Sequence, residues 1–110
     1  MTDWSFLDCC ANPRLHLVKT IYESSHDDES LSQCQNCEGY WFYRFSEYVN
    51  FDGGDDDITV WYSPITADEA QIIIGSEGRP DLSFLRNRPS FVKDDRGIHR
   101  TGGQPDKPRL

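Results

Sequence analysis

CQNCEGYWFYRFSEYVNF, residues 34–51, joins a Cys-x-x-Cys pair to the densest aromatic run in the chain. Two cysteines separated by two residues can turn both sulfurs toward one tetrahedral ion, because the intervening turn aims its backbone N–H groups at the thiolates. The run that follows reads as the central strand of a small sheet. Its odd positions, Trp41, Tyr43, Phe45, Glu47, Val49 and Phe51, are nearly all apolar and are expected to face a core. Its even positions, Tyr40, Phe42, Arg44, Ser46, Tyr48 and Asn50, form a mixed face that begins with two aromatics.

Working outward, residues 14–23 (RLHLVKTIYE) alternate loosely and predict a strand, whereas residues 24–32 (SSHDDESLS) show no apolar period and read as a solvated loop. On the other side, DGGDDD at 52–57 supplies a hairpin connection whose glycines tolerate positive φ. A third strand follows over 58–63, stopped by Pro64. Thr66-Ala-Asp-Glu69 has the spacing of a capping box and predicts a short helix burying Ala70, Ile73 and Ile74, with Gly75 as its stop. Leu82, Phe84 and Leu85 mark a further helical turn. From Asp94 the chain is rich in Gly, Pro and charge. The expected architecture is therefore α+β: a three-stranded antiparallel sheet, one packed helix and a zinc-knuckle end. It occupies a single domain over 1–92, with a flexible basic tail over 93–110.

A second cysteine pair, Cys9-Cys10, lies about twenty-five residues before the first. Cys34, Cys37, the following Gly39 and the strand beyond resemble a zinc ribbon, in which two knuckles clamp one structural zinc; the resemblance spans residues 9–51. It implies zinc held by Cys9, Cys10, Cys34 and Cys37 with no open coordination position. Two departures stand out. Adjacent cysteines on extended chain point opposite ways, so the chain must bend at Cys9-Cys10, or His16 must replace one of them. Glu38 occupies the place where a ribbon usually has glycine, with Gly39 one residue late. Against zinc stand buried free cysteines, a disulfide, and a redox Cys-x-x-Cys, which wants a helix after it rather than an aromatic strand.

At 110 residues the chain has room for one domain, and a core that small benefits from a metal staple. No stretch has the apolar length of a membrane span and no secretory signal is evident at the start, so a reducing cytoplasm is the expected compartment. The net charge of −8 is uneven: residues 1–78 carry fifteen acidic and three basic side chains, residues 79–110 four acidic and eight basic. An acidic body repels phosphates and draws basic protein surfaces. Asp52, Asp55, Asp56 and Asp57 lack the spacing of a calcium loop and read as an acidic turn. No nucleophile motif and no phosphate loop is present, so no enzyme is expected. Nine of the fourteen aromatics fall between Tyr40 and Tyr62, more than one sheet face needs. The functional expectation is a non-enzymatic domain docking on a basic protein, of inhibitor or immunity type, through Tyr40, Phe42, Arg44, Tyr48, Asp55, Asp56, Asp57 and Trp61. The alternatives are a nucleic-acid-associated ribbon using Arg86, Arg88, Lys93, Arg96 and Arg100, and a thiol redox protein.

Overall fold

The computed structural model describes residues 4–48, 57–94 and 96–104. They form one antiparallel six-stranded sheet in simple sequence order: β1 (Leu15–Glu23), β2 (Asp27–Cys34), β3 (Tyr40–Tyr48), β4 (Asp57–Ile65), β5 (Ser90–Asp94) and β6 (Gly97–Thr101). One α-helix, α1 (Ala67–Gly75), and a 3-10 turn (Ser83–Asn87) fill the connection between β4 and β5. The protein is thus mostly β, and the three-stranded α+β expectation is overturned. Half of the strands lie in stretches that read as loop or tail or were given no strand.

β2 is hidden because its alternation is carried by polar side chains. Asp27, Glu29 and Leu31 are buried while Asp28 and Ser30 are half-buried, a period of two that a search for apolar residues cannot see. Glu29 lies directly across from Arg44 on β3, and Asp27 across from Ser46, whose hydroxyl donates to Asp27 Oδ1 at 2.9 Å. β6 likewise lies in the stretch expected as a flexible tail; it pairs with β5 from Ser90↔Thr101 to Asp94↔Gly97. Beyond it Gln104 is buried and donates to Ser63, and its backbone N–H bonds Leu85 O at 2.8 Å. At Gly103 a Cβ would collide with the Arg86 carbonyl, so only glycine lets the chain lie this close to the 3-10 turn. Pro64 does not end β4, which continues to Ile65; β5 pairs only with residues 60–62, so the missing N–H of Pro64 costs no ladder bond on that side.

Both faces of the sheet are covered, which overturns the expectation of one core face and one mixed face. On one face Leu31, Phe42 and Ile65 pack under Ala70 and Ile73 of α1 and Leu82 and Leu85. On the other, Leu15, Cys34, Trp41, Tyr62 and Phe91 pack under Leu7, with Trp4 and Phe6 beside them. The N-terminal arm is therefore a lid on the second face. Register shifts in β1 between Leu17 and Lys19 and between Thr20 and Tyr22 break its alternation and account for its loose sequence pattern.

The expected capping box is formed: Thr66 Oγ1 accepts from Glu69 N at 3.1 Å and Glu69 Oε1 from Thr66 N at 2.9 Å. Only Ala70 and Ile73 are buried, however; Ile74 points outward. The helix has no basic residue in its last turn, and Lys19 of β1 supplies the cation instead, donating to the carbonyls of Ile73, Ile74 and Ser76 at 2.9, 3.2 and 2.7 Å. At the other end Glu69 also binds Arg88 through two parallel contacts of 2.8 and 2.7 Å. The Arg88 hydrogen bond, aided by the Thr66 backbone and opposed by burial, holds the Glu69 carboxyl down at about 2, below its ordinary 4.5. A carboxylate favoured in this way stabilises the fold fully above pH 4.5 and loses that contribution as pH falls toward about 2. With the pair partly exposed, Glu69→Gln should cost about 1–2 kcal/mol at neutral pH. It should also flatten the acid limb of a stability-against-pH curve. An unchanged acid limb would remove Glu69 as its cause.

Candidate metal centre

The four cysteines converge at one end of the sheet. Cys34 ends β2, Cys37 closes the turn that leads to β3, and Cys9 and Cys10 arrive on the N-terminal arm. Their four sulfurs lie within 4.8 Å of one another. The Cys9–Cys10 and Cys10–Cys34 sulfur separations are 3.9 and 3.8 Å. A tetrahedral ion with metal–sulfur bonds of about 2.3 Å puts its ligand sulfurs about 3.8 Å apart. All four cysteines are free, and a disulfide would need about 2.05 Å. The arrangement thus has the size of a tetrathiolate cage and could hold a metal ion. The chain bends over residues 9–12, which lets neighbouring cysteines face the same point. His16 is exposed on β1 and is outside the cluster.

The second knuckle explains the displaced glycine of the ribbon pattern. Glu38 N bonds Cys34 O at 2.9 Å and Cys34 N bonds Gly39 O at 2.8 Å, closing a tight turn. Glu38 sits at φ 66°, the left-handed conformation that glycine normally supplies. Gly39 is needed for a different reason. A Cβ there would stand 3.3 Å from Cys37 Sγ and 3.8 Å from Cys9 Cβ, so glycine makes room for the thiols. Glu38→Gly should therefore raise stability by about 0.5–1 kcal/mol through relief of backbone strain. The measurement is the denaturation midpoint of metal-saturated protein, and a fall in the midpoint would contradict the assignment.

Polar groups around the sulfurs suit anions. The backbone N–H of Arg14 donates to Cys34 Sγ, that of Gly39 to Cys37 Sγ, and the Asn36 side chain to Cys10 Sγ, each at 3.4 Å. Burial alone would push the Cys34 thiol up. The backbone N–H groups of Arg14, Cys37 and Asn36 overcome it and bring Cys34 down to about 6. Cys9 moves the other way, to about 12, because burial and then the neighbouring Cys37 thiol disfavour a second charge. The Trp41 indole N–H is buried without a well-formed hydrogen bond among the described residues, yet it stands where it favours ionised Cys9. A cation among the thiols would reverse the penalty on Cys9 and give Trp41 a thiolate to face. The donor set fits a soft tetrahedral ion. These outer donors lie at positions with no motif of their own, and only the turn geometry reveals them.

The expected docking residues separate. Phe42 is buried in the core under α1 and the 3-10 turn, and Arg44 is buried beside it against Glu29, which leaves neither as a surface contact. Tyr40 is half-buried against that same core, and Trp61 is half-buried across from Arg44. Tyr48 and Asp57 pair through their backbones at the end of β3 and β4, and Asp55 and Asp56 lie outside the described residues. No helix among the described residues is long and apolar enough to cross a membrane. Comparison with protein-family models, with curated proteins and with solved structures finds no match for the chain.

Proposed function

We propose that this chain is a non-enzymatic protein-binding domain, stapled by one structural zinc ion on Cys9, Cys10, Cys34 and Cys37, whose acidic surface docks on a basic protein. Zinc is the ion that four thiolates in a closed tetrahedral set favour, and a closed set leaves no position for substrate. The observation that carries the partner class is the ion pairing of the C-terminal arginines. Arg79 binds Glu29, Arg88 binds Glu69 and Arg100 binds Asp8, at 2.8, 2.7 and 2.8 Å. Three of the eight basic residues of the segment 79–110 are therefore engaged by carboxylates of the acidic part and are poorly placed to grip phosphates, while the whole chain remains at −8. An inhibitor or immunity-type protein that covers a basic target has this charge and size.

Elemental analysis of the purified chain should give one zinc per molecule, falling on serine replacement at any of the four cysteines. Binding to a basic protein such as lysozyme or a histone should appear at low salt and weaken steeply as salt rises, with no shift of nucleic acid in a gel. Absence of capture at low salt, or a nucleic-acid shift, would overturn the partner class. The lowered Cys34 thiol favours a second reading, thiol exchange through Cys34 and the exposed Cys37. Metal-free protein whose cysteines are oxidised by mild disulfide reagents would select it.

A further inference from the structure

The second sheet face, beside the metal centre, is not fully closed by the N-terminal arm. A groove of about 260 Å³ remains, walled by Trp4, Tyr43 and Tyr62, floored by Ser30 and Ser32 and edged by Leu15, His16 and Leu17. Leu17 is 62% exposed at its lip. The rings of Tyr43 and Tyr62 stand 5.4 Å apart at 62°, making a corner rather than a parallel slot. Burial pushes the Tyr62 hydroxyl up, and Trp4 on the arm works against that shift. No lysine or arginine lines the groove. Two residues before Ser30, on the same face of β2, Asp28 has a buried Oδ1 with no hydrogen-bond partner among the described residues, and its charge is felt at Tyr43.

Three electron-rich rings line this pocket, and the Asp28 carboxylate, on the same sheet face two residues from Ser30, adds its negative field at Tyr43. Such a pocket stabilises a cation through the ring faces while the carboxylate supplies the counter-charge. The volume is that of one long side chain rather than of a drug-sized ligand. We propose that the groove receives a lysine side chain of a basic partner protein, its methylenes along Leu15 and Leu17 and its ammonium against the rings, on the Tyr43 side where the Asp28 charge is felt. A compact ammonium suits a corner of two rings, whereas a flat guanidinium would favour a parallel slot. The proposal rests on the basic-protein reading above and names the contact that gives it specificity beyond charge.

The test uses the full chain and three neutral Gly/Ser peptides with lysine, norleucine or arginine at the centre, followed by the NMR shifts of the Tyr43 ring and the Trp4 indole. The lysine peptide should bind at least about tenfold more tightly than the norleucine peptide. Trp4→Leu should erase that preference, and Asp28→Asn, which keeps the shape, should reduce it. Equal binding of norleucine, tighter binding of arginine, or no shift at Tyr43 with any peptide would each overturn the proposal. Lysine binding that ignores Trp4→Leu and vanishes in high salt would also overturn it, while leaving the acidic-surface reading intact. Failure of the basic proteins to bind, with the lysine preference retained, would instead sink only the broader reading.

Discussion

Stripping the proposed zinc with a strong chelator is expected to unfold the second sheet face and, with it, the domain. Metal binding by a closed thiolate site contributes on the order of 10 kcal/mol at neutral pH, comparable to the roughly 5–15 kcal/mol of a whole small domain. The coupling is direct because Cys9, Cys10 and Cys34 belong to the same packed cluster as Leu7, Leu15 and Trp41. Without an ion, Cys9 must stay protonated beside an ionised Cys34, and the arm loses its tether. Chelation should shift Trp fluorescence to the red as Trp41 meets water, and far-UV circular dichroism should lose its β signal. Cys34→Ser should reproduce the effect in the presence of zinc, since Cys34 lies at the centre of the N–H donors. Chelated protein with an unchanged melting transition would sink the idea that the fold leans on an ion.

The cysteine cluster is legible in the sequence because metal ligation demands specific residue types at specific spacing, and those survive in a linear chain. The bend at Cys9-Cys10 and the division of glycine's two roles between Glu38 and Gly39 are not, since both depend on how the arm meets the turn. The capping box is legible for the same reason as the knuckle: Thr66 and Glu69 interact locally. The sheet is misread where strands are held by polar pairs. Asp27 is satisfied by Ser46 and Glu29 by Arg44 across the ladder, and hydrophobic periodicity has no access to such partners. β6 escapes notice because its residues are exposed and its order comes from β5 and from the Gly103–Gln104 contact behind it. Phe42 and Arg44 are misread for a related reason: they look surplus only while β2 is taken for a loop.

Replacing Glu29 by glutamine should be the most damaging single change away from the cysteines, at about 3–5 kcal/mol. Glu29 is fully buried, and both its oxygens are engaged. Arg44 donates to Oε2 through Nε at 3.0 Å and through Nη2, while Arg79 donates to Oε1 at 2.8 Å and to Oε2 at 3.0 Å. Arg44 is itself only 1% exposed and lies over the Phe42 ring at 5.3 Å. Without the carboxylate, a buried guanidinium loses the acceptor of its Nε and Nη2 donors. Arg79, a quarter exposed, can turn to solvent. Arg44→Met should therefore cost less than Glu29→Gln, because Glu29 keeps Arg79 as partner. The double replacement Glu29→Leu with Arg44→Met should be markedly less destabilising than the sum of Glu29→Leu and Arg44→Met made singly, since it removes the buried charge and leaves an apolar pair. A double-mutant cycle on chemical denaturation midpoints, in zinc-saturated protein, measures this coupling. Additive losses would mean that the two side chains stabilise the sheet independently, and that β2 is held by its ladder rather than by the charge buried beneath the helix.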